Sequence, residues 1–253
     1  MRAKRRRALT LIELLVAIGV IGILIALSAP MLHDARRAAG QAVSLANLAG
    51  IGRTFEAYLG ANDGLHPVAL PGEQHAVTLD GNMTFSYGDR WAMAWHWAAV
   101  IRDFAPWEDH IQTWASPGSD AARRAFEEGA HFIPDYRYAN SFVASPSLWT
   151  PQGAADAAEN PSRYLQRVRA ASVVYPSGKV MHYDHVMTYH RRKQPRLSDH
   201  MPDDPTPMLF ADGHAATHLP RDAADPIENV LNVSWWKNSR LHNTPEGVFG
   251  RDY

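Results

Sequence analysis

The 253-residue chain contains no cysteine. That absence excludes a disulfide scaffold, a thiolate metal site and a cysteine nucleophile, and it leaves the redox compartment open. Net charge is nearly absent as well, 25 Lys+Arg against 26 Asp+Glu giving −1. No Gly-rich phosphate loop, Gly-x-Ser-x-Gly element, HExxH helix or pair of catalytic carboxylates is found, so the expectation is a protein that is not an enzyme and needs no cofactor. No basic stripe with interleaved aromatics occurs either, which argues against a nucleic-acid partner. What is present is enough apolar sequence, 46% against 20% charged, to bury a core in one or two domains.

Charge is spread unevenly. Arg2, Lys4, Arg5, Arg6 and Arg7 place five cations in the first eight residues, and the remaining 20 basic and 26 acidic residues leave −6. From Leu14 to His33 no Asp, Glu, Lys or Arg occurs. The run Leu11 to Ala29, as a helix rising about 1.5 Å per residue, spans roughly 28 Å, close to the thickness of a bilayer's hydrocarbon core. Cations flanking such a span stay on the cytoplasmic side, so everything after Pro30 is expected outside the cytoplasm. Gly19 and Gly22, poor in an exposed soluble helix, are tolerated in lipid. Glu13 stands out, because a carboxylate inside an apolar span costs about 2.5–3.5 kcal/mol unless it is paired. Two readings stand on physics alone: Glu13 pairs with a cation, or it lies among headgroups six residues after Arg7 and is solvated.

The basic leader followed by Thr10-Leu11-Ile12-Glu13-Leu14-Leu15 and a long apolar run resembles type IV prepilins and the pseudopilins of type II secretion. The resemblance implies that a prepilin peptidase cuts between Ala8 and Leu9 and methylates the new amino terminus, although the family's usual glycine and phenylalanine are replaced here by Ala8 and Leu9. Glu13 then becomes mature residue five, the family's glutamate that neutralises a neighbouring subunit's amino terminus. Pro30 corresponds to the family's helix-kinking proline. Other pilin-like subunits and inner-membrane lipid are the implied partners, with Leu11, Ile12, Leu14, Leu15, Val16, Ile18 and Val20 packing between subunits. A secretory signal peptide cut after Ser28 or Ala29 is the alternative; Glu13 within the apolar region and the whole Thr10–Leu15 string argue against it.

Beyond the span, Leu48, Ile51, Phe55, Tyr58 and Leu59 form one apolar helical stripe that Asn62-Asp63-Gly64 stops. One helix of about 50 residues, kinked at Pro30, is expected. Three hairpins follow. Val77–Leu79 and Met83–Phe85 flank Asp80-Gly81-Asn82, Ser172–Tyr175 and Lys179–Tyr183 flank Pro176-Ser177-Gly178, and Met208–Ala211 and His214–His218 flank Asp212-Gly213, read as a type I′ turn. A further helix is expected from Trp91 to Phe104, with loops and short helical pieces over 105–135 and 144–166. The fold class is α+β and pilin-like, a long kinked N-terminal helix packed on an antiparallel sheet. Residues 1–8 form the leader, 9–32 the membrane and assembly half of the helix, and 33–253 an extracytoplasmic globular domain of an inner-membrane, single-pass protein.

The landmarks Asn47-Leu48, Ile51-Gly52, Tyr58, Asn62, Gly64 and Pro67, then Tyr138-Ala139-Asn140 and Phe210-Ala211-Asp212-Gly213-His214, resemble the large pilin-like proteins of planctomycete-type bacteria. Their signature has a histidine nine residues before Asp-Gly; here His200 is separated from Asp212 by eleven. Asp212, Gly213 and His214 are read as a structural turn signature, Asp capping the turn and Gly supplying positive φ. Thirteen histidines raise a metal reading, with His182, His185, His214 and His218 as candidates beside Asp184, His190 and Asp212; the competing reading is sheet-edge imidazoles, and no metal is expected. Asp199, Asp203 and Asp204 offer oxygen ligands for calcium without an EF-hand pattern. Trp91, Trp95, Trp97, Trp107 and Trp114 read as core rather than as a glycan platform. The runner-up function is a membrane-tethered binding module for glycan or peptide.

Overall fold

The computed structural model describes residues 10–68, 75–78, 82–85, 93–127, 132–190, 202–232 and 235–253. Ala8, Leu9, the Asp80-Gly81 turn, Trp91, Asp199 and His200 lie outside these residues. The chain divides into two compact units, Met1–Gly40 and Gln41–Tyr253.

Helix α1, Leu11–Ala61, runs through Pro30 and, with Thr10 before it, makes up the described part of the first unit. Its stop is built as expected. Asp63 and Gly64 take positive φ (53° and 70°), and the Gly64 N–H closes back on the Leu59 carbonyl at 2.8 Å. Within the second unit, the stretch from Gln41 onward buries Ser44, Asn47, Leu48, Ile51, Gly52 and Phe55, spaced by three or four residues along one face. At Gly52 the helix lies close against the sheet: a Cβ there would meet Leu209 Cδ1 at 3.0 Å.

The sheet that receives this face has four antiparallel strands in the order β3-β4-β5-β6, namely Tyr136–Tyr138, Val180–Asp184, Thr206–Phe210 and Ala215–His218. The α+β architecture, with a long N-terminal helix and an antiparallel sheet, is therefore present. A separate two-stranded hairpin pairs β1 (His75–Thr78) with β2 (Asn82–Phe85), as the residues around Asp80-Gly81 predict. A bulge between Val180 and His182 shifts the β4–β5 register. It sends Val180 and Tyr183 into a small cluster with Met208, Phe210, Ala223 and Leu241, while His182 faces Phe55 with ring centres 4.4 Å apart. Both central strands are buried along their whole length.

Two expectations need correction. Ser172–Tyr175 is not a strand: single 3₁₀ turns at Ala170–Ser172 and Pro176–Gly178 replace the hairpin, and β4 pairs instead with β3 and β5. The β-branched run was misleading because the edges of β4 were already taken by strands distant in sequence. The Asp212-Gly213 hairpin forms, but not as type I′. Phe210 and His214 close a three-residue loop through the Phe210 N–H at 2.9 Å, and only Gly213 takes positive φ (88°). This is a type I turn with a glycine bulge, which asks no left-handed conformation of Asp212.

Helices α2 (Met93–Val100), α3 (Trp107–Trp114), α4 (Ala121–Glu127) and α5 (Pro151–Ala157) fill the segments around the sheet. On α2 the buried face is Ala94, Trp97 and Ala98, continued by Ile101, and Trp95 stands beside it, half-buried. Trp97, Trp107 and Trp114 are core residues. Trp97 also donates its indole N–H to the Tyr136 carbonyl at 2.8 Å, which removes the cost of burying that donor.

Asp184, at the end of β4, binds these layers together. Its Oδ2 accepts from the hydroxyls of Ser44 on α1 (2.6 Å), Ser116 after α3 (3.0 Å) and Tyr189 (3.0 Å), and its Oδ1 from the N–H groups of Val186 (3.2 Å) and Met187 (3.0 Å). Asp184→Asn turns one of these acceptors into a donor facing at least two donors. Denaturant titration of the full chain is expected to show a loss of about 3 kcal/mol, and a change within error would refute the anchoring role.

Candidate functional site

At the N-terminal end, Thr10 and Glu13 form a reciprocal cap on α1. Glu13 Oε2 accepts from the Thr10 backbone N–H (2.8 Å) and hydroxyl (2.9 Å), and the Thr10 hydroxyl accepts from the Glu13 N–H (3.2 Å). Thr-x-x-Glu is the capping-box spacing. The spacing is present in the Thr10–Leu15 string, where Thr10 reads as part of the family motif and Glu13 as a residue that pairs with a cation or is solvated; the hydrogen bonds between the two are not foreseen there. Beyond the cap, the side chains named for assembly stand open, from Leu11 (79% exposed) and Ile12 (73%) through Leu14, Leu15, Val16, Ile18 and Val20. The helix is long and apolar enough to cross a membrane, and the most apolar window has none of its residues buried. Gly19 and Gly22 each leave open space where a Cβ would stand.

Residues 3–29 match the family model of the prokaryotic N-terminal methylation motif. This match supports a type IV pilin-like precursor, processed by prepilin peptidase and anchored by its apolar helix. The prepilin-type segment spans 27 of 253 residues, so it speaks for the N-terminal helix and leaves the globular unit to its own geometry. No curated protein and no solved structure matches the chain.

In the globular unit the structure disperses the histidines named as metal candidates. His182 lies in the aromatic core between Phe55, Trp97 and Tyr138, with neither ring nitrogen hydrogen-bonded. Burial holds it well below the ordinary histidine range, so it is a neutral ring serving as an aromatic. His66, bonded through Nδ1 to the Tyr138 hydroxyl at 3.1 Å, is likewise pushed down to about 3 by burial. His185 is buried beside Tyr183. His214 bonds Asp212 Oδ1 at 2.6 Å and stacks on Phe210, while His218 meets the edge of the same ring and Tyr253. Among the described residues no group of three or more His, Asp or Glu side chains is placed to hold a metal ion. Asp203, a calcium candidate, pairs with Arg221 at 2.8 Å.

Asp212 performs the turn-capping role expected of it, its Oδ1 accepting from the His214 N–H at 3.1 Å. The C-terminal tail is locked by a buried pair that the sequence reading did not single out. Lys179 Nζ lies 3.3 Å from Asp252 Oδ2, which also accepts the Val180 N–H at 2.8 Å, while the Thr244 hydroxyl donates to Asp252 Oδ1 at 2.5 Å. Burial lowers the Lys179 ammonium's pKa, and Asp252 opposes that shift.

Among the described residues, the globular unit has cavities on two sides. A groove of about 540 Å³ runs between α1 and α3 and is lined by residues including Asn47, Arg53, His110 and Trp114. A second cavity of about 420 Å³ collects Trp95 of α2, Ser119 and Asp120 before α4, Arg124 on α4, and Asp135 and Arg137 at the start of β3. Here the Arg137 guanidinium lies 4.6 Å from the centre of the Trp95 ring and donates to the Pro134 carbonyl at 2.7 Å.

Asp135 in this cavity accepts the Ser116 N–H at 2.9 Å, yet burial raises its carboxyl from 3.8 to about 6. The folded state therefore binds this proton more tightly than the unfolded chain. The resulting stabilisation is complete below about pH 4 and is lost as pH rises to about 6, amounting to about 3 kcal/mol. Asp135→Asn should remove that slope from stability measured by denaturant titration at several pH values. Identical slopes in both proteins would refute it.

Proposed function

We propose that this chain is a pilin-like subunit: after cleavage between Ala8 and Leu9, its N-terminal helix leaves the inner membrane and becomes part of the helical core of a type IV pilus or type II secretion pseudopilus. The observation that carries this reading is the coincidence of the methylation motif with a capped helix whose residues 14–33 are free of Asp, Glu, Lys and Arg and whose apolar side chains there are open to solvent. Apolar surface on that scale requires either lipid or the same helix from neighbouring subunits. Lipid holds the precursor, and neighbouring subunits replace it in the filament, so one surface serves both states. The globular domain lies on the extracytoplasmic side, opposite the basic leader. The protein acts by association, without catalysis, cofactor or nucleic acid.

Glu13 has two tasks in this reading. It caps its own helix through Thr10, and its charge neutralises the amino terminus of a neighbouring subunit, which sets axial register. The substitutions Glu13→Gln and Glu13→Val separate the tasks. Glutamine keeps the capping hydrogen bonds and removes the charge, so if charge neutralisation drives assembly, both variants insert normally and both are lost from sheared filaments. Incorporation of Glu13→Gln at the wild-type level would leave only the capping role.

Processing is read directly from the mature amino terminus by mass spectrometry. An N-methylated Leu9 is expected when the chain is expressed with a prepilin peptidase, and unprocessed Met1 without it. A chain beginning at Ala29 or Pro30 would instead identify an exported domain with no assembly segment.

A further inference from the structure

We propose that Lys179 and Asp252 become joined by a side-chain amide bond that the folded protein forms by itself. The two side chains are almost completely buried, at 0% and 2% exposure, and Lys179 Nζ already lies 3.3 Å from Asp252 Oδ2. The backbone holds them there independently of their charges. The N–H groups of Asp252 and Tyr253 both donate to the Gly178 carbonyl, at 2.8 and 3.1 Å, and the Lys179 carbonyl accepts from the Ala211 N–H at 2.9 Å. The tail runs so close to this turn that a Cβ at Gly178 would meet the Tyr253 carbonyl oxygen at 2.6 Å. An amine and a carboxyl group fixed in this way react without the entropic cost of an encounter.

The hydrogen bonds around the pair are those that the condensation needs. Lys179 Nζ donates to the Thr244 hydroxyl, and that hydroxyl donates to Asp252 Oδ1 at 2.5 Å. A proton thus has a path from the nitrogen to Oδ1, with Thr244 accepting one proton as it passes on another. The second oxygen, Oδ2, accepts the Val180 N–H at 2.8 Å, a fixed donor for the negative charge that develops as Nζ attacks Cγ. Burial favours the neutral amine at Lys179, and a proton passed from the ammonium to the carboxylate gives the amine and carboxylic acid that react. Nζ then bonds to Cγ and the Cγ–Oδ1 bond breaks. Oδ1 departs as one water, carrying its own acid proton and one that Nζ releases through Thr244, so no oxidant, activated ester or cofactor is consumed. Exclusion of solvent protects the product from hydrolysis. The bond closes a loop of about 70 residues and ties the C-terminal tail to the start of β4, constraining the unfolded chain as a disulfide does. In a chain with no cysteine it is a covalent staple of another kind, and it forms whether or not the protein assembles into a filament.

The test is mass spectrometry of the full chain purified in detergent and then denatured, first intact and then as protease fragments. The expected chain is lighter by one water, about 18 Da, than the mass calculated from its measured amino terminus. Its digest should contain a fragment in which the peptides carrying Lys179 and Asp252 remain joined, which separates this bond from a cyclic imide at an Asp-Gly pair. Lys179→Arg and Asp252→Ala should each restore the full mass. Thr244→Val, which keeps both reacting groups and removes the hydroxyl, should lower the joined fraction in freshly purified protein about tenfold or more, and Thr244→Ser should recover it. A wild-type chain at its full mass, or one lighter by a water with no joined fragment, would overturn the proposal, and an undiminished joined fraction in Thr244→Val would overturn the proton path.

Discussion

A buried carboxyl group, that of Asp184, holds the globular unit together. Asp184 sits at the end of a central strand and accepts hydrogen bonds from α1, from the turn after α3 and from the segment after β4. A buried carboxyl group is tolerated only when its oxygens are met by fixed donors. That requirement constrains each donor in turn: Ser44 sets the helix against the sheet, Ser116 positions the chain that leads into the 420 Å³ cavity, and the Met187 N–H holds a residue whose positive φ (42°) is otherwise unfavourable. Asp135 nearby feels the same charge, which adds to the burial that raises its pKa.

The N-terminal helix obeys the opposite rule. Where the globular unit surrounds Asp184 and Lys179 with polar partners, residues 14–33 carry no Asp, Glu, Lys or Arg, and their apolar side chains stand exposed. Such a segment is stable only in another apolar environment. The capping box at Thr10 and Glu13 fits that requirement, because it satisfies helix-end N–H groups locally, at the point where a span would otherwise carry unmet donors into lipid. The carboxylate has therefore found partners before any second subunit is considered.

Much of this was legible from residues alone. The stop of α1 followed from Asn62-Asp63-Gly64, its buried stripe from Leu48, Ile51 and Phe55, and two of the three hairpins from Asp-Gly. These signals are local, so they survive without knowledge of the rest of the fold. The misreading at Ser172–Tyr175 had the opposite cause: whether a β-branched run becomes a strand depends on whether an edge is free to receive it, and β4 was occupied by β3 and β5. The histidines show the same limit. His182 and His214 look alike in sequence, yet one fills an aromatic core and the other bonds the Asp212 carboxylate at a surface turn.

By itself, then, the sequence determined the anchor: five leader cations, the Thr10–Leu15 string and a charge-free run act through charge, length and hydropathy, which need no tertiary context. The tertiary structure alone decided what the globular unit offers. It placed Asp184 among five donors, locked Lys179 onto Asp252, and brought Trp95 to the same cavity as Asp135 and Arg137. Those groupings link residues far apart in the chain, and a polar group's role is set by the partners that burial leaves within hydrogen-bond reach.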